Sequence, residues 1–196
     1  MVTPPPNDTP VLLFKTPAAW ERWLAKHHGQ SKGLWVRMAK KDSGLASITY
    51  PEALQAALCY GWIDGQKKGE DEQYWQQKFT PRGARSIWSK INRDKALALI
   101  EQGLMQPAGL AEVKRAQADG RWEAAYDGQR TATVPLDLQA ALDANKKARD
   151  FFATLDSVNR YAILFRTHNA KKAETRAKRI AQFVAMLARH EKIHAK

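Results

Sequence analysis

The sequence predicts an α+β fold: a small antiparallel sheet packed with helices in the front half, followed by an all-helical C-terminal part. Segments with strand patterns end by residue 82, and the chain from Ser86 onward has helical periodicity. All seven tryptophans precede Glu123. Hydrophobic residues make up 44% of the 196 residues, which is enough for a packed core.

The first helix is predicted in TPAAWERWLAKHHG, where Thr16 can cap the start, Pro17 suits the first turn and Gly29 can close the end. The next segment, GLWVRMAKKD, is typical of a strand. Its side chains alternate between two faces, with Trp35, Arg37 and Ala39 on one and Val36 and Met38 on the other.

A second helix is predicted in SITYPEALQAALCYG, because Thr49 and Glu52 have the spacing of a capping box and Gly61 can end the helix. WIDGQKK and YWQQKFTPR then read as two strands around the polar turn GEDE. Together with the strand near Trp35, they would form the antiparallel sheet.

The remaining chain is predicted to be helical, with an irregular connection at RWEAAYDGQRTATVP. The helices are expected at Ser89–Gly103, Pro107–Gly120, Leu136–Leu155 with a break near Asn145, Ser157–Thr167 and Lys171–His190. We therefore expect three parts: a flexible, Pro-rich lead over 1–12, a Trp-rich α+β domain over 13–128 and a basic helical module over 129–196.

The net charge is +12, and most of it lies in the last quarter of the chain. Residues 146–196 carry 13 basic and 4 acidic side chains, a balance of +9. Such a surface attracts an anionic small molecule, an acidic partner or nucleic acid, unless it is simply a solvated basic face. The basic surface of the last helix is predicted from four side chains: Lys171, Lys172, Lys178 and Arg179.

Arg176, by contrast, is in line with Ile180, Phe183 and Leu187, so it should point inward and needs a partner.

A candidate anion site lies in KFTPRGARSIWSKINR, which has five basic residues and no acidic one. The segment leads into a helix start, where unpaired backbone amides favour an anion. Trp62 and Asp64 share a strand face, so the acid can orient an arginine while the indole offers a flat wall. The alternative is that Asp64 pairs with Arg82 or Arg85 as a structural brace. The predicted ligand-binding residues are Trp62, Asp64, Arg82, Arg85, Ser86, Trp88, Ser89 and Asn92.

Two other chemical motifs are given structural interpretations. HEKIH at His190–His194 has zincin spacing, but it lies at a frayed chain end and no third ligand follows it. Cys59, at the end of a helix, is interpreted as a small buried hydrophobe rather than a nucleophile. We predict no metal, no cofactor and no catalytic residue.

The N-terminal segment lacks the basic start and the long apolar stretch of a signal peptide, and no window is apolar over the roughly 20 residues of a membrane helix. With a single cysteine the chain forms no internal disulfide. These features predict a cytoplasmic protein without a membrane span.

Four segments together resemble the YdeI/OmpD-associated family, whose members are also called bacteriocin-protection proteins. They are ALCYGWIDG, FTPRGARSIWSKINR, LMQPAGLAEVKRAQADGRWE and AKKAETRAKRI, the last following the tyrosine-bearing helix of VNRYAILFRTHNAKKAETR. The resemblance extends over nearly the whole chain beyond the lead. It implies a bacterial protein of stress response or resistance to antimicrobial peptides, without a settled reaction. In this family the rear motif also occurs attached to other front domains.

Three functions are consistent with these features. The first is a non-enzymatic protection protein that binds an anionic ligand or partner through a basic, aromatic-lined site. The second is nucleic-acid binding, which the basic excess and interleaved aromatic residues permit. The third is a small-molecule enzyme that uses Asp64, Tyr60 or Tyr74 with neighbouring arginines for proton transfer.

Overall fold

The computed structural model describes residues 9–194, and within them the chain forms two compact units. The front unit contains the described residues up to Trp88 together with Asn92–Ala124, and the rear unit contains Ser89–Ile91 and the described residues from Ala125 on. The described strands are β1 (Val11–Leu13), β2 (Leu34–Ala39), β3 (Trp62–Gly69) and β4 (Tyr74–Pro81). The described helices are α1 (Pro17–His27), α2 (Tyr50–Cys59), α3 (Lys90–Glu101), α4 (Pro107–Ala118), α5 (Leu136–Asp143), α6 (Lys146–Ala153), α7 (Ser157–His168) and α8 (Ala173–Ala188).

The sheet has the order β1-β2-β4-β3, and its β2–β4 and β3–β4 pairs are antiparallel as predicted. The α+β class is therefore confirmed. The first strand adds a parallel pair with β2, which makes the sheet mixed rather than wholly antiparallel. This strand begins at Val11, inside the predicted 1–12 lead, because its backbone completes the edge of β2. The lead's first eight residues lie outside the described part of the chain.

The two front helices begin at the caps that the sequence predicts. The Thr16 hydroxyl accepts a hydrogen bond from the Ala19 amide, and Thr49 and Glu52 form a complete capping box. Gly61 follows α2 with φ of 73°, a left-handed conformation that favours glycine. These helices cover one sheet face, where the buried Trp20 ring contacts Phe79 on β4 and its indole donates to the Ala53 carbonyl.

In the rear unit, α5 to α8 enclose their own hydrophobic core. Asn145 caps α6 at the predicted break in the helical pattern. Buried side chains from all four helices form one cluster: Leu138, Leu142, Ala148, Phe152, Ile163, Leu164, Ile180, Phe183 and Leu187. The last helix thus buries the apolar stripe predicted from its 3.6-residue period.

Candidate functional site

Trp62 and Asp64 lie on the core-facing side of β3, as their alternation predicts. The Trp62 side chain is 1% exposed and contacts the rings of Trp20 and Trp23 edge-on. Its indole N–H donates to the His28 carbonyl. The Asp64 carboxylate accepts a hydrogen bond from the Tyr50 phenol, over 3.0 Å. The tryptophan is therefore part of the front core, and the acid has a phenol partner that the sequence analysis did not predict.

Arg82 and Trp88 stack on each other in the turn after β4. The guanidinium carbon lies 3.5 Å from the indole ring centroid, and Nη1 donates to the Ile87 carbonyl. Both residues are buried, with 5% and 2% exposure. A ligand would reach this stack only if the turn opened, whereas Arg85 on the same turn is exposed.

The other predicted polar residues also form local contacts. The Ser86 hydroxyl accepts from the Gly83 amide, and Ser86 is half-buried. Ser89, which precedes α3, is buried, and the first amide of that helix, on Lys90, donates to the Tyr126 carbonyl. Asn92 is half-buried. The assignment of Asn92 and of the other seven residues to a ligand site stays a prediction.

A network of arginines and acids lies beside this turn in the front unit. Arg121 donates to the Ser86 carbonyl and pairs with Asp119 at 2.7 Å. Arg115 donates to the Arg82 carbonyl and pairs with Glu112. Burial raises the pKa of Glu112, while the charge of Arg115 opposes that shift. Arg115 and Arg121 thus donate hydrogen bonds to backbone carbonyls of the turn and stabilise its conformation, which is a structural role.

Arg176 points inward from α8, as its position in the apolar stripe predicts. Its Nε and Nη2 donate to the two carboxylate oxygens of Asp137 at 2.5 and 2.9 Å, and Nη1 donates to the Thr167 carbonyl at 2.8 Å. The bond from Arg176 holds the pKa of Asp137 below its usual range. The bidentate pair fixes the guanidinium plane where α5, α7 and α8 meet.

A half-open cavity of about 240 Å³ lies next to this pair and is lined by residues of the rear unit alone. Aromatic rings form much of its wall, and the Tyr161 phenol donates to the Asp127 carbonyl at 2.9 Å. The Asp127 carboxylate is itself paired with Lys90 at 2.8 Å. The polar and aromatic lining consists of Tyr126, Asp127, Thr133, Tyr161, Phe165, His168 and Arg176.

Further positive charge lies at the rim of this cavity. The Lys171 ammonium is 3.4 Å from Nε2 of His168. Burial, and then the nearby Arg176 charge, lower the pKa of Lys171. Lys171 is exposed, as are Lys172 and Lys178, and Arg179 donates to the Arg166 carbonyl. Lys171 thus differs from the other residues of that surface by its contact with His168, which lines the cavity.

Sequence reasoning missed most of the cavity's lining. Asp137 and Arg176 are 39 positions apart, and no local period connects them. One signal was present: Tyr161 and His168 lie in the tyrosine-bearing helix that precedes the rear motif. We interpreted that motif by its charge and did not consider the side chains of α7, including Tyr161 and His168, which line the cavity.

Cys59 is a free, buried cysteine, as predicted. Desolvation raises the pKa of its thiol to about 11, so it is protonated at neutral pH.

At the other end of the chain, α8 ends at Ala188, so His190 and His194 do not lie on one helical face. Within residues 9–194 no cluster of His, Cys, Asp or Glu is placed to hold a metal ion, and no described helix is long and apolar enough to cross a membrane.

Replacing Asp137 by asparagine should lower the stability of the protein at pH 7 by about 1 kcal/mol, because a charge-assisted pair is lost and the partly exposed pair is screened by water. The pKa of Asp137 is lowered in the folded protein. Its contribution to the free energy of unfolding is therefore fully present above the usual pKa of 3.8, and it is lost as pH falls through the lower pKa of the folded state. Thermal unfolding between pH 2 and 7 measures this.

The control for this experiment is Asp143→Asn, at the exposed end of the same helix, where Asp143 accepts from Gln139. It should change stability little at any pH. A stability difference for Asp137→Asn that stays constant down to pH 2 would contradict the ion-pair explanation.

Comparison with known proteins assigns the two parts of the chain to different families. Residues 12–112 match the family described as Domain of unknown function (DUF8412). Residues 131–190, which contain the cavity's α7 and α8, match the family described as Bacteriocin-protection, YdeI or OmpD-Associated. That resemblance, expected over nearly the whole chain, is thus found in the C-terminal part. No curated protein and no solved structure matches the chain. The chain therefore belongs to the DUF8412 family, whose model matches its front half, and its C-terminal part is similar to the YdeI/OmpD-associated bacteriocin-protection family.

Proposed function

We propose that this is a non-enzymatic protein of the stress- and antimicrobial-protection type, and that it binds a small anionic ligand in the rear-unit cavity. The observation that carries the proposal is the fixed Arg176 guanidinium in the wall of an aromatic-lined cavity, with Lys171 at its rim. The match of residues 131–190 to the protection family supports the same assignment.

The charges at the cavity favour an anion. Asp137 balances Arg176, and Lys90 balances Asp127, so Lys171 contributes an additional positive charge. The three hydrogen bonds of Arg176 use one N–H each, and a guanidinium has five. The remaining N–H groups sit on a side chain that Asp137 already holds in place, so binding an anion costs little further ordering.

The size and lining of the cavity limit the ligand. A volume of about 240 Å³ lies below the range of drug-sized sites, about 300 to 1,000 Å³. Tyr126, Tyr161 and Phe165 provide ring surfaces for an apolar or aromatic group. The cavity therefore suits a small phosphorylated or carboxylated compound rather than a chain of repeating units.

The test uses inorganic phosphate as the probe, titrated into the full-length protein by calorimetry at constant ionic strength. Lys171→Gln should weaken binding severalfold, and Lys172→Gln is the matched control because it removes the same charge from the next residue, which is also exposed. Phosphate also stabilises folded proteins by exclusion from their surface, and that effect should be equal in both variants. Binding should weaken as pH rises through the lowered pKa of Lys171, because the ammonium loses its charge.

A third variant tests the site predicted from the sequence. Arg85→Ala removes the exposed cation of the turn after β4 and should leave both phosphate binding and thermal stability nearly unchanged. If Arg85→Ala abolished binding while Lys171→Gln did not, the ligand would belong to the Arg82–Ser89 turn and the cavity assignment would be wrong. Equal losses in the Lys171 and Lys172 variants would reduce the effect to general surface charge.

A further inference from the structure

The outer face of the front sheet carries aromatic rings and basic side chains together. In antiparallel pairs, directly opposed residues lie on the same face. Trp35 on β2 opposes Lys78 on β4, and Gln76 on β4 is opposed by Arg37 on one side and Lys68 on the other. The neighbouring positions of β2, such as Val36, are buried in the core on the opposite face.

Most of this outer face is accessible to solvent, although Gln76 at its centre is buried. On the edge strand, Val11 and Leu13 are 44% and 38% exposed although both are apolar. They are paired with Trp35 and Arg37, so they extend the same face. Lys68 is exposed, and Trp35 is half-buried.

The cations of the face lie on its rings. The Lys68 ammonium is 4.3 Å from the Trp35 ring centroid, and that of Lys78 is 5.7 Å from it. Arg37 lies 4.0 Å from the Tyr74 ring centroid and pairs with two carboxylates, Glu70 at 2.8 Å and Asp71 at 3.4 Å. Among residues 9–194, neither Lys68 nor Lys78 forms an ion pair with a carboxylate.

We propose that this outer face, the surface of Trp35, Arg37, Lys68, Tyr74 and Lys78, binds single-stranded nucleic acid. A base can stack on the Trp35 ring once the flexible Lys68 side chain moves aside, and the displaced ammonium is then within reach of a phosphate. Ring stacking beside cations that follow the backbone is how sheet surfaces hold single strands without strong sequence preference. A duplex keeps its bases inside the stack and cannot use the rings.

The experiment measures fluorescence anisotropy of a labelled 12-nucleotide oligothymidine with the full-length protein at 50 mM salt. Binding should fall as salt rises, with a slope in log affinity of about 0.7 for each phosphate contacted. Lys68→Gln should weaken binding severalfold and reduce that slope. Trp35→Ala should weaken it about tenfold or more, the usual effect of removing a stacking ring.

Lys67→Gln is the matched control, because Lys67 is the preceding residue on β3 and lies over Trp75 on the other side of the sheet. It removes the same charge but should leave binding nearly unchanged. Lys68→Gln changes one surface side chain, so it keeps the test decisive if the Trp35 variant folds poorly.

Three results would overturn the proposal: equal losses for Lys67→Gln and Lys68→Gln, a duplex bound as tightly as the single strand, or no binding at 50 mM salt. None of them bears on phosphate binding in the rear unit, so the two proposals fail separately.

Discussion

Replacing Gly109 by alanine should destabilise the front unit by about 2 kcal/mol or more, although the same change inside an ordinary helix stabilises it by up to about 1 kcal/mol. Gly109 lies in α4 where that helix crosses the end of α2. A Cβ at this position would meet the Cys59 carbonyl at 2.3 Å and the Leu58 carbonyl at 2.8 Å. Both are backbone atoms, so a helix would have to shift to relieve the contact.

The close approach is reinforced by hydrogen bonding. The Gln106 amide, just before α4, donates to the Cys59 carbonyl at 3.1 Å. Gly61, on the α2 side, also lies close to α4, since a Cβ there would be 2.9 Å from the Ala108 carbonyl. Two glycines therefore allow two backbones to touch, and a methyl group at either would separate them.

Tryptophan fluorescence during urea unfolding measures this effect, because all seven tryptophans belong to the front unit. Gly29→Ala is the control: nothing lies within 4 Å of a Cβ at Gly29. That variant should stay within about 0.5 kcal/mol of the parent protein. If Gly109→Ala behaved like Gly29→Ala, the helices would not be in contact at this point.

Leu187→Ala should destabilise the rear unit by about 2 to 5 kcal/mol, the range for removing a large aliphatic side chain from a core. Leu187 is 0% exposed and packs in the cluster formed by α5 to α8. The truncation removes buried apolar surface and leaves a cavity that neighbouring helices fill only in part. The rear unit also contains the Arg176 cavity, so phosphate binding should weaken in parallel near the unfolding midpoint.

Leu136→Ala supplies the matched control, because it is the same chemical change in the same unit at a side chain that is 89% exposed. Circular dichroism follows the helices of both units, whereas tryptophan fluorescence follows the front unit alone. If the predicted module over 129–196 unfolds separately, Leu187→Ala will shift the dichroism transition more than the fluorescence transition. Equal shifts in both signals would show one cooperative unit.

Local sequence signals predicted the secondary structure well, because each depends on atoms within one turn of the chain. The capping box of Thr49 and Glu52 and the cap at Asn145 are formed by side chains within three residues of their partners. The alternation of β2 depends only on the pleat. The first strand was missed because three residues carry too little periodicity and its pairing is with a strand 24 positions away.

The candidate site was harder to predict, since its geometry depends on contacts between distant segments. The sequence indicated that Trp62 and Asp64 share a strand face, yet the partner of each residue comes from another element: His28 for the indole and Tyr50 for the carboxylate. The turn of Arg82 has the predicted composition, but Trp88 stacks on the guanidinium and buries it.

By itself, the sequence determined the fold class, most helix ends, the basic rear part and the inward direction of Arg176, since these follow from propensity, period and charge. Tertiary structure alone decided that Asp137 meets Arg176, that aromatic rings line a cavity beside them and that Lys68 lies over Trp35. Those contacts join residues 33 or more positions apart. Their distances depend on how whole helices and strands pack, and no local pattern encodes that packing.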